Sequence, residues 1–204
     1  AEKDRVLVAI DGNCTSGKTT LADKLVTEFD CNVFHMDDFF LRPEQRTPER
    51  YAEIGGNVDR ERFYDEVLIP LGKGDAIEYR RFDCATMTLS PAMKIDPKKL
   101  TVIEGAYSMH PAFAKYYDFS VFLDITQNTQ KERILRRNPP QLAKRFFGEW
   151  IPLENKYFEK INGIRMEQKP SELYNLFLEN KEPLIYEIDT LIKSLNEYKT
   201  AIIN

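Results

Sequence analysis

Cysteine is scarce in this 204-residue chain: Cys14, Cys31 and Cys84 are scattered, odd in number and without metal-ligand spacing. That pattern argues against a disulfide framework or a thiolate metal site and reads as reduced thiols in a cytoplasmic protein. Long hydrophobic runs are missing too. No stretch approaches a membrane span and the opening residues carry no signal-peptide pattern, so no membrane partner is expected. Positive charge is not in excess, since 29 Lys and Arg stand against 33 Asp and Glu for a formal net charge of −4. A generally basic binder of nucleic-acid polymer is therefore not expected. Repeats and low-complexity segments are absent. So is the guanine-reading N-K-x-D signature, because Asn155-Lys156-Tyr157-Phe158 and Asn180-Lys181-Glu182-Pro183 both lack the Asp. What remains is a soluble globular composition, 42% hydrophobic and 30% charged, with length enough for one well-buried domain over residues 1–204.

The most informative stretch is GNCTSGKTT, Gly12 to Thr20, which fits the P-loop pattern G-x-x-x-x-G-K-[ST]. Gly12 and Gly17 let the backbone turn tightly, so that the N–H groups of Asn13, Cys14, Thr15, Ser16 and Thr20 come within reach of phosphate oxygens. Lys18 supplies a point charge for the β- and γ-phosphates, and the Thr19 hydroxyl a ligand for Mg²⁺. Cys14 reads as a filler, because the loop acts through its backbone. Arg5 to Ile10 forms an apolar run of strand length before the loop. Behind it, Leu21, Ala22, Leu25, Val26 and Phe29 mark one face of a helix whose N-terminal end favours anions.

Asn32 to His35 reads as a second strand, followed by Asp37 and Asp38 at its carboxyl end, where open parallel sheets bind ligands. A carboxylate there can take a proton from an attacking hydroxyl or serve as a turn cap. Residues 41–57 read as a loop with at most a short helix. Asp59 precedes an apolar-striped helix over 60–71 and suits an N-cap as well as a substrate contact. Residues 76–95 read as a hairpin insertion with an edge at Pro91. Leu100 to Gly105 is a buried-strand run ending in Glu104, which could hold Mg²⁺. Phe119 to Asp124 is a further strand.

Six basic residues between Lys131 and Arg145 stand against one acid, which suits either a solvated face or a lid over residues 131–150. Arg133, Arg136 and Arg137 would then close over a triphosphate, since phosphoryl transfer needs cationic stabilisation. The spacing predicts helices over 150–161 with Pro152 at the start, over 172–179 capped by Ser171, and from Pro183 to Leu195. The last stripe suits core packing or a partner-helix surface, which leaves a homo-oligomer open.

With GNCTSGKTT, HMDDFF, NVDRERF, YRRFDCATMTL, VIEGAYS and the arginine-rich stretch in place, the chain resembles the uridine kinase / phosphoribulokinase family of P-loop kinases, nicotinamide riboside kinases included. The resemblance runs from Arg5 to about Gln168. It implies an α/β, three-layer P-loop NTPase fold with a parallel sheet, a small β-hairpin insertion and a helical lid, to which the helices read over 168–204 are added. It implies transfer of the γ-phosphate of ATP, with Mg²⁺, to a hydroxyl of a small molecule such as a nucleoside. Asp37 matches the family's general base, Glu104 the acid supporting Mg²⁺ and Asp59 the acid gripping ribose hydroxyls, while Arg133, Arg136 and Arg137 fall in the lid. The hairpin departs from the family pattern. Uridine kinases typically carry YDFxTHS, and here Phe82 stands for the Tyr and Met87 for the His. Phe82 and Met87 are then expected to offer apolar surface to the acceptor. The different-class alternative is a nucleotide-binding regulator or a catalytically inactive P-loop ATPase module.

Overall fold

The computed structural model describes residues 5–167 and 176–179. β1 (Val6–Gly12) runs into the P-loop and α1 (Lys18–Glu28), and β2 (Cys31–His35) into a 3₁₀ turn over Met36–Phe39. After α2 (Pro48–Ala52) comes one continuous helix built from α3 (Arg60–Phe63), a π turn (Tyr64–Leu68) and α4 (Ile69–Lys73). The hairpin strands are β3 (Ile77–Tyr79), β4 (Phe82–Asp83), β5 (Thr88–Leu89) and β6 (Met93–Ile95). β7 (Leu100–Glu104) and β8 (Phe119–Asp124) return to the main sheet. α5 (Gln127–Arg137) follows, then α6 (Pro140–Arg145), which passes through a π turn (Phe146–Trp150) into α7 (Ile151–Glu167). β9 (Leu176–Glu179) is the last described element.

The main sheet has five strands in the order β2-β7-β1-β8-β9, all pairings parallel. Alternation along the strands sends successive side chains into two separate cores. Val6, Val8, Ile10, Val102, Val121 and Leu123 meet Leu21, Ala22 and Leu25 of α1. Ala9, Phe34, Ile103 and Phe122 face the other way, onto Phe63, Val67, Leu68 and Leu71 and onto Tyr157, Phe158 and Ile161 of α7. The result is the three-layer α/β architecture expected. No described helix is long and apolar enough to cross a membrane.

Three expectations change. Val26 is half exposed and lies off the buried stripe of α1, which is carried by Leu21, Ala22 and Leu25. Residues 176–179, expected within a helix, form β9, which pairs with β8 from Val121↔Leu176 to Asp124↔Glu179. A short apolar run cannot be told from a helix segment by periodicity alone, and the free edge of β8 takes a strand. Pro152 lies in the first turn of α7, but that helix continues α6 without a break through the π turn, so the helix does not begin there. The hairpin is divided: β3 pairs with β6, β4 with β5, and Pro91, which cannot donate to a ladder, separates the two. The expected cap at Ser171 and the helix from Pro183 lie outside the described residues.

Phe63 is fully buried, its ring 5.1 Å from Phe39 and 4.9 Å from Phe113. Phe63→Ala is expected to cost about 3–5 kcal/mol of stability, read as a drop in urea midpoint at unchanged slope.

Candidate active site

The P-loop is set by a close backbone approach. Gly12 sits at φ +139°, and a Cβ there would lie 2.0 Å from the Leu123 carbonyl oxygen of β8. Asn13 fixes the next step: its N–H donates to Leu123 O (3.2 Å) and its Oδ1 accepts from Ile125 N (3.3 Å). Gly17, at φ +107°, is the N-cap of α1 and places no side-chain oxygen on the helix's first N–H groups. Those groups face an open cleft of about 510 Å³ lined by residues 15–20 and by Arg133, Arg136 and Arg137. The Thr15 and Ser16 hydroxyls are buried there without a partner. Uncapped helix donors, orphaned hydroxyls and three guanidinium groups around one cavity fit a polyphosphate.

Lys18 is buried, its Nζ donating to the carbonyls of Gly12 (2.9 Å) and Asn13 (2.8 Å), so its charge is held at the loop. Arg133 reaches over from α5 to donate to Thr15 O at 3.0 Å. This cleft gathers Thr15 to Thr20 of the expected loop together with the three arginines of α5, while Gly12, Asn13 and Cys14 lie outside its lining.

Beside it, the parallel register pairs Glu104 with both His35 and Ile10. Glu104 Oε1 accepts from Thr19 Oγ1 (3.2 Å) and lies 2.5 Å from His35 Nδ1. That bond raises the His35 pKa against the opposing cost of burial. A hydroxyl and a carboxylate oxygen so close suit Mg²⁺, which takes few protein ligands and completes its shell with water and phosphate. Among the described residues there is no group of three or more His, Cys, Asp or Glu placed to hold a metal ion.

Gly105, at φ +131°, lets the Met36 turn approach closely, since a Cβ would meet Met36 Cβ at 2.8 Å. Asp37, on that turn, lies within electrostatic reach of Lys18 and Glu104. Its surface is open, yet the cleft walls deprive it of enough water to raise its carboxyl above the usual range. Lys18 opposes that rise and Glu104 adds to it. Asp38 turns to the hairpin, pairing with Arg81 (3.2 Å) and accepting from Tyr79 OH (3.3 Å). The two acids therefore differ in use.

Asp59 is 2% exposed, and both of its oxygens are engaged within the protein: Oδ1 accepts from Arg62 N (3.1 Å), Oδ2 from Gln45 Nε2 (2.9 Å). It is the N-cap of α3. The expectation of apolar surface at Phe82 is corrected as well. Its ring is 5% exposed beneath the Arg46 guanidinium, 5.6 Å away, so cation–π stacking covers its face. Met87 is half-buried at φ +60° in the turn, its N–H donating to Asp83 O. The Phe82 face is thus covered by Arg46 from the loop before α2, and Arg81 of the hairpin lies against Asp38. Arg46, Arg145 and Asp37 all act electrostatically on the Cys84 thiol, which places the β4–β5 turn near Asp37.

Sequence reasoning missed His35, Asp11 and Glu154. Asp11, fully buried, accepts from Gly12 N (2.7 Å), Met109 N (2.9 Å) and Tyr157 OH (2.6 Å), while burial raises its pKa. Glu154 Oε2 accepts from Cys14 N (3.0 Å). One signal was available: Glu154 occupies the same stripe as Tyr157, Phe158 and Ile161, a charge where an apolar residue is the norm.

Residues 7–141 match the Phosphoribulokinase / Uridine kinase family. A phosphoribulokinase from Synechocystis sp. is 27% identical over 135 residues, which is 61% of this chain but only 39% of that enzyme's length. A solved structure described as a possible uridine kinase from Bacillus stearothermophilus superposes with a TM-score of 0.61 at 22% identity, covering 85% of this chain and 89% of that one. That likeness is one of fold.

Gly12→Ala is expected to cost about 2–4 kcal/mol, by clash with β8 and by strain at positive φ, and to abolish pyrophosphate binding. Thermal denaturation with and without pyrophosphate checks both parts.

Proposed function

The chain belongs to the phosphoribulokinase / uridine kinase family, and on that footing we propose that it transfers the γ-phosphate of ATP to a hydroxyl of a small molecule, a nucleoside or similar metabolite. The observation that carries this reading is the convergence of Lys18, Thr19, Asp37 and Glu104 at the carboxyl ends of β1, β2 and β7. Asp37 accepts the acceptor's hydroxyl proton as the oxygen attacks the γ-phosphorus, and its raised proton affinity suits it to hold that proton. Lys18 leaves the carbonyls of Gly12 and Asn13 for the β- and γ-phosphates. Arg133, Arg136 and Arg137 offset charge on the equatorial oxygens. Thr19 and Glu104 would hold Mg²⁺, which supplies further neutralisation of the phosphates. An inactive module or a regulator would have no need for Asp37 beside an intact phosphate site, so the same convergence favours the enzyme.

Steady-state ADP release tests this with Mg²⁺-ATP and a panel of nucleosides, pantothenate and sugar alcohols. Lys18→Ala is expected to lower kcat by about two or more orders of magnitude. Asp37→Asn is expected to abolish transfer while nucleotide affinity stays near wild type, and Asp38→Asn to act more mildly through the hairpin. Loss of turnover in Asp38→Asn with Asp37→Asn active would reverse the assignment.

For the acceptor, the hairpin lacks the hydrogen-bonding Tyr and His of uridine kinases; its Arg81 pairs with Asp38, and Arg46 of the preceding loop covers Phe82. Uridine and cytidine are accordingly expected to be poor substrates. A kcat/KM for uridine of about 10⁴ M⁻¹s⁻¹ or more, within the ordinary range of enzyme efficiency, would refute this.

A further inference from the structure

α7 lies behind the P-loop and holds it at two points. Glu154 Oε2 accepts from the amide of Cys14 (3.0 Å), and one turn later Tyr157 donates to Asp11 at the end of β1 (2.6 Å). From α5, Gln130 Nε2 donates to Cys14 O (3.4 Å) and lies 3.1 Å from its Sγ. Cys14 is thus clasped from two helices, and only Glu154 brings a charge to the clasp. Its side chain is 6% exposed, and among the described residues no Lys, Arg or His makes an ion pair with it. The cation that acts on it is Lys18, whose ammonium is bonded to Gly12 and Asn13.

We propose that Glu154 is a proton-linked positioning residue of the nucleotide site, taking up a proton as a nucleotide's phosphates settle on the other side of the P-loop. This rests on the nucleotide reading above. The groups acting on Glu154 from the packed elements are Lys18, Asp11 and Cys14 of the loop region, and its charge in turn acts on Tyr107 after β7. α5 contributes the uncharged Gln130 to the same clasp, and Tyr157 lies next on α7. Burial pushes the carboxyl up to about 7, with Lys18 pulling against it and Asp11 adding to the rise. Bound phosphates bring several negative charges to the loop and draw the Lys18 charge to themselves. At an effective dielectric of about 20, even one such charge some 8 Å away strengthens proton binding by an order of magnitude or more.

The direction follows. Below pH 7 the free protein already carries the proton and binding takes up none. Above it Glu154 is ionised when free and neutral when bound, so binding takes up a proton and affinity falls as pH rises. The neutral acid keeps a carbonyl oxygen for the Cys14 amide, so the loop stays pinned in either form. Glu154→Gln imitates that neutral form.

Calorimetric titration of the full chain with Mg²⁺-ADP, in two buffers of different ionisation enthalpy, measures the uptake directly. Wild type is expected to take up about half a proton or more at pH 8 and little at pH 6, with Kd rising roughly three- to tenfold between them. In Glu154→Gln the uptake at pH 8 is expected to fall away and Kd to change less than about twofold. Glu159→Gln, an exposed acid on the same helix, should behave as wild type. Binding by wild type without uptake at pH 8 overturns the inference alone, whatever the variants do, as does uptake retained in a folded Glu154→Gln. No binding at any pH overturns the nucleotide site and this inference with it.

Discussion

Parallel pairing of β7 between β2 and β1 is the constraint on which the site depends. In a parallel sheet all strands release their chains at the same edge, so the loop after β1, the turn after β2 and the end of β7 must converge. The register then decides the details. Glu104 opposite His35 and Ile10 lies within reach of Thr19, and the glycine that follows lets the Asp37 turn close over it. Thr19, the His35–Asp37 stretch and Glu104 come from three distant parts of the chain. Two dry cores, one on each face of the sheet, keep that edge in place.

Charge in the cleft is distributed unevenly. Lys18 opposes the cost of burial at Asp11, Asp37 and Glu154, so one ammonium serves three carboxyl groups. A site this rich in acids would repel a polyphosphate if it stood alone. Arg133, Arg136 and Arg137, supplied from the far side by α5, redress the balance just where the cleft opens. A basic stretch in an acidic chain is thus explained by what it faces.

How much could be read from the chain alone depended on range. The P-loop, the Asp37 turn and the Glu104 strand were legible because each is a local pattern of strand, loop and acid. Asp59 was legible as a cap for the same reason, while its second oxygen, bonded to Gln45, was not. His35 on Glu104 requires the register between strands, which no local pattern carries. Phe82 was misjudged because its exposure is decided by Arg46, a residue far away in sequence. β9 was read as helix because the three-residue apolar run Leu176–Leu178 fits either state, and only the open edge of β8 decides between them.

The two π turns share a setting: each ends directly before an Ile-Pro pair, Ile69-Pro70 and Ile151-Pro152. A proline inside a helix lacks a donor and crowds the preceding turn, and the wider turn makes room for it. A π turn also carries one residue more than an α turn, and each residue of an α-helix advances the chain by roughly 100° about the axis. The turn over Phe146–Trp150 therefore acts as a phase setting for all of α7. Shortened by one residue, the helix would still form and still look amphipathic, but Glu154 and Tyr157 would swing about a quarter turn away from the P-loop. In this protein the clasp on the phosphate loop is timed by a single surplus residue in the helix before it.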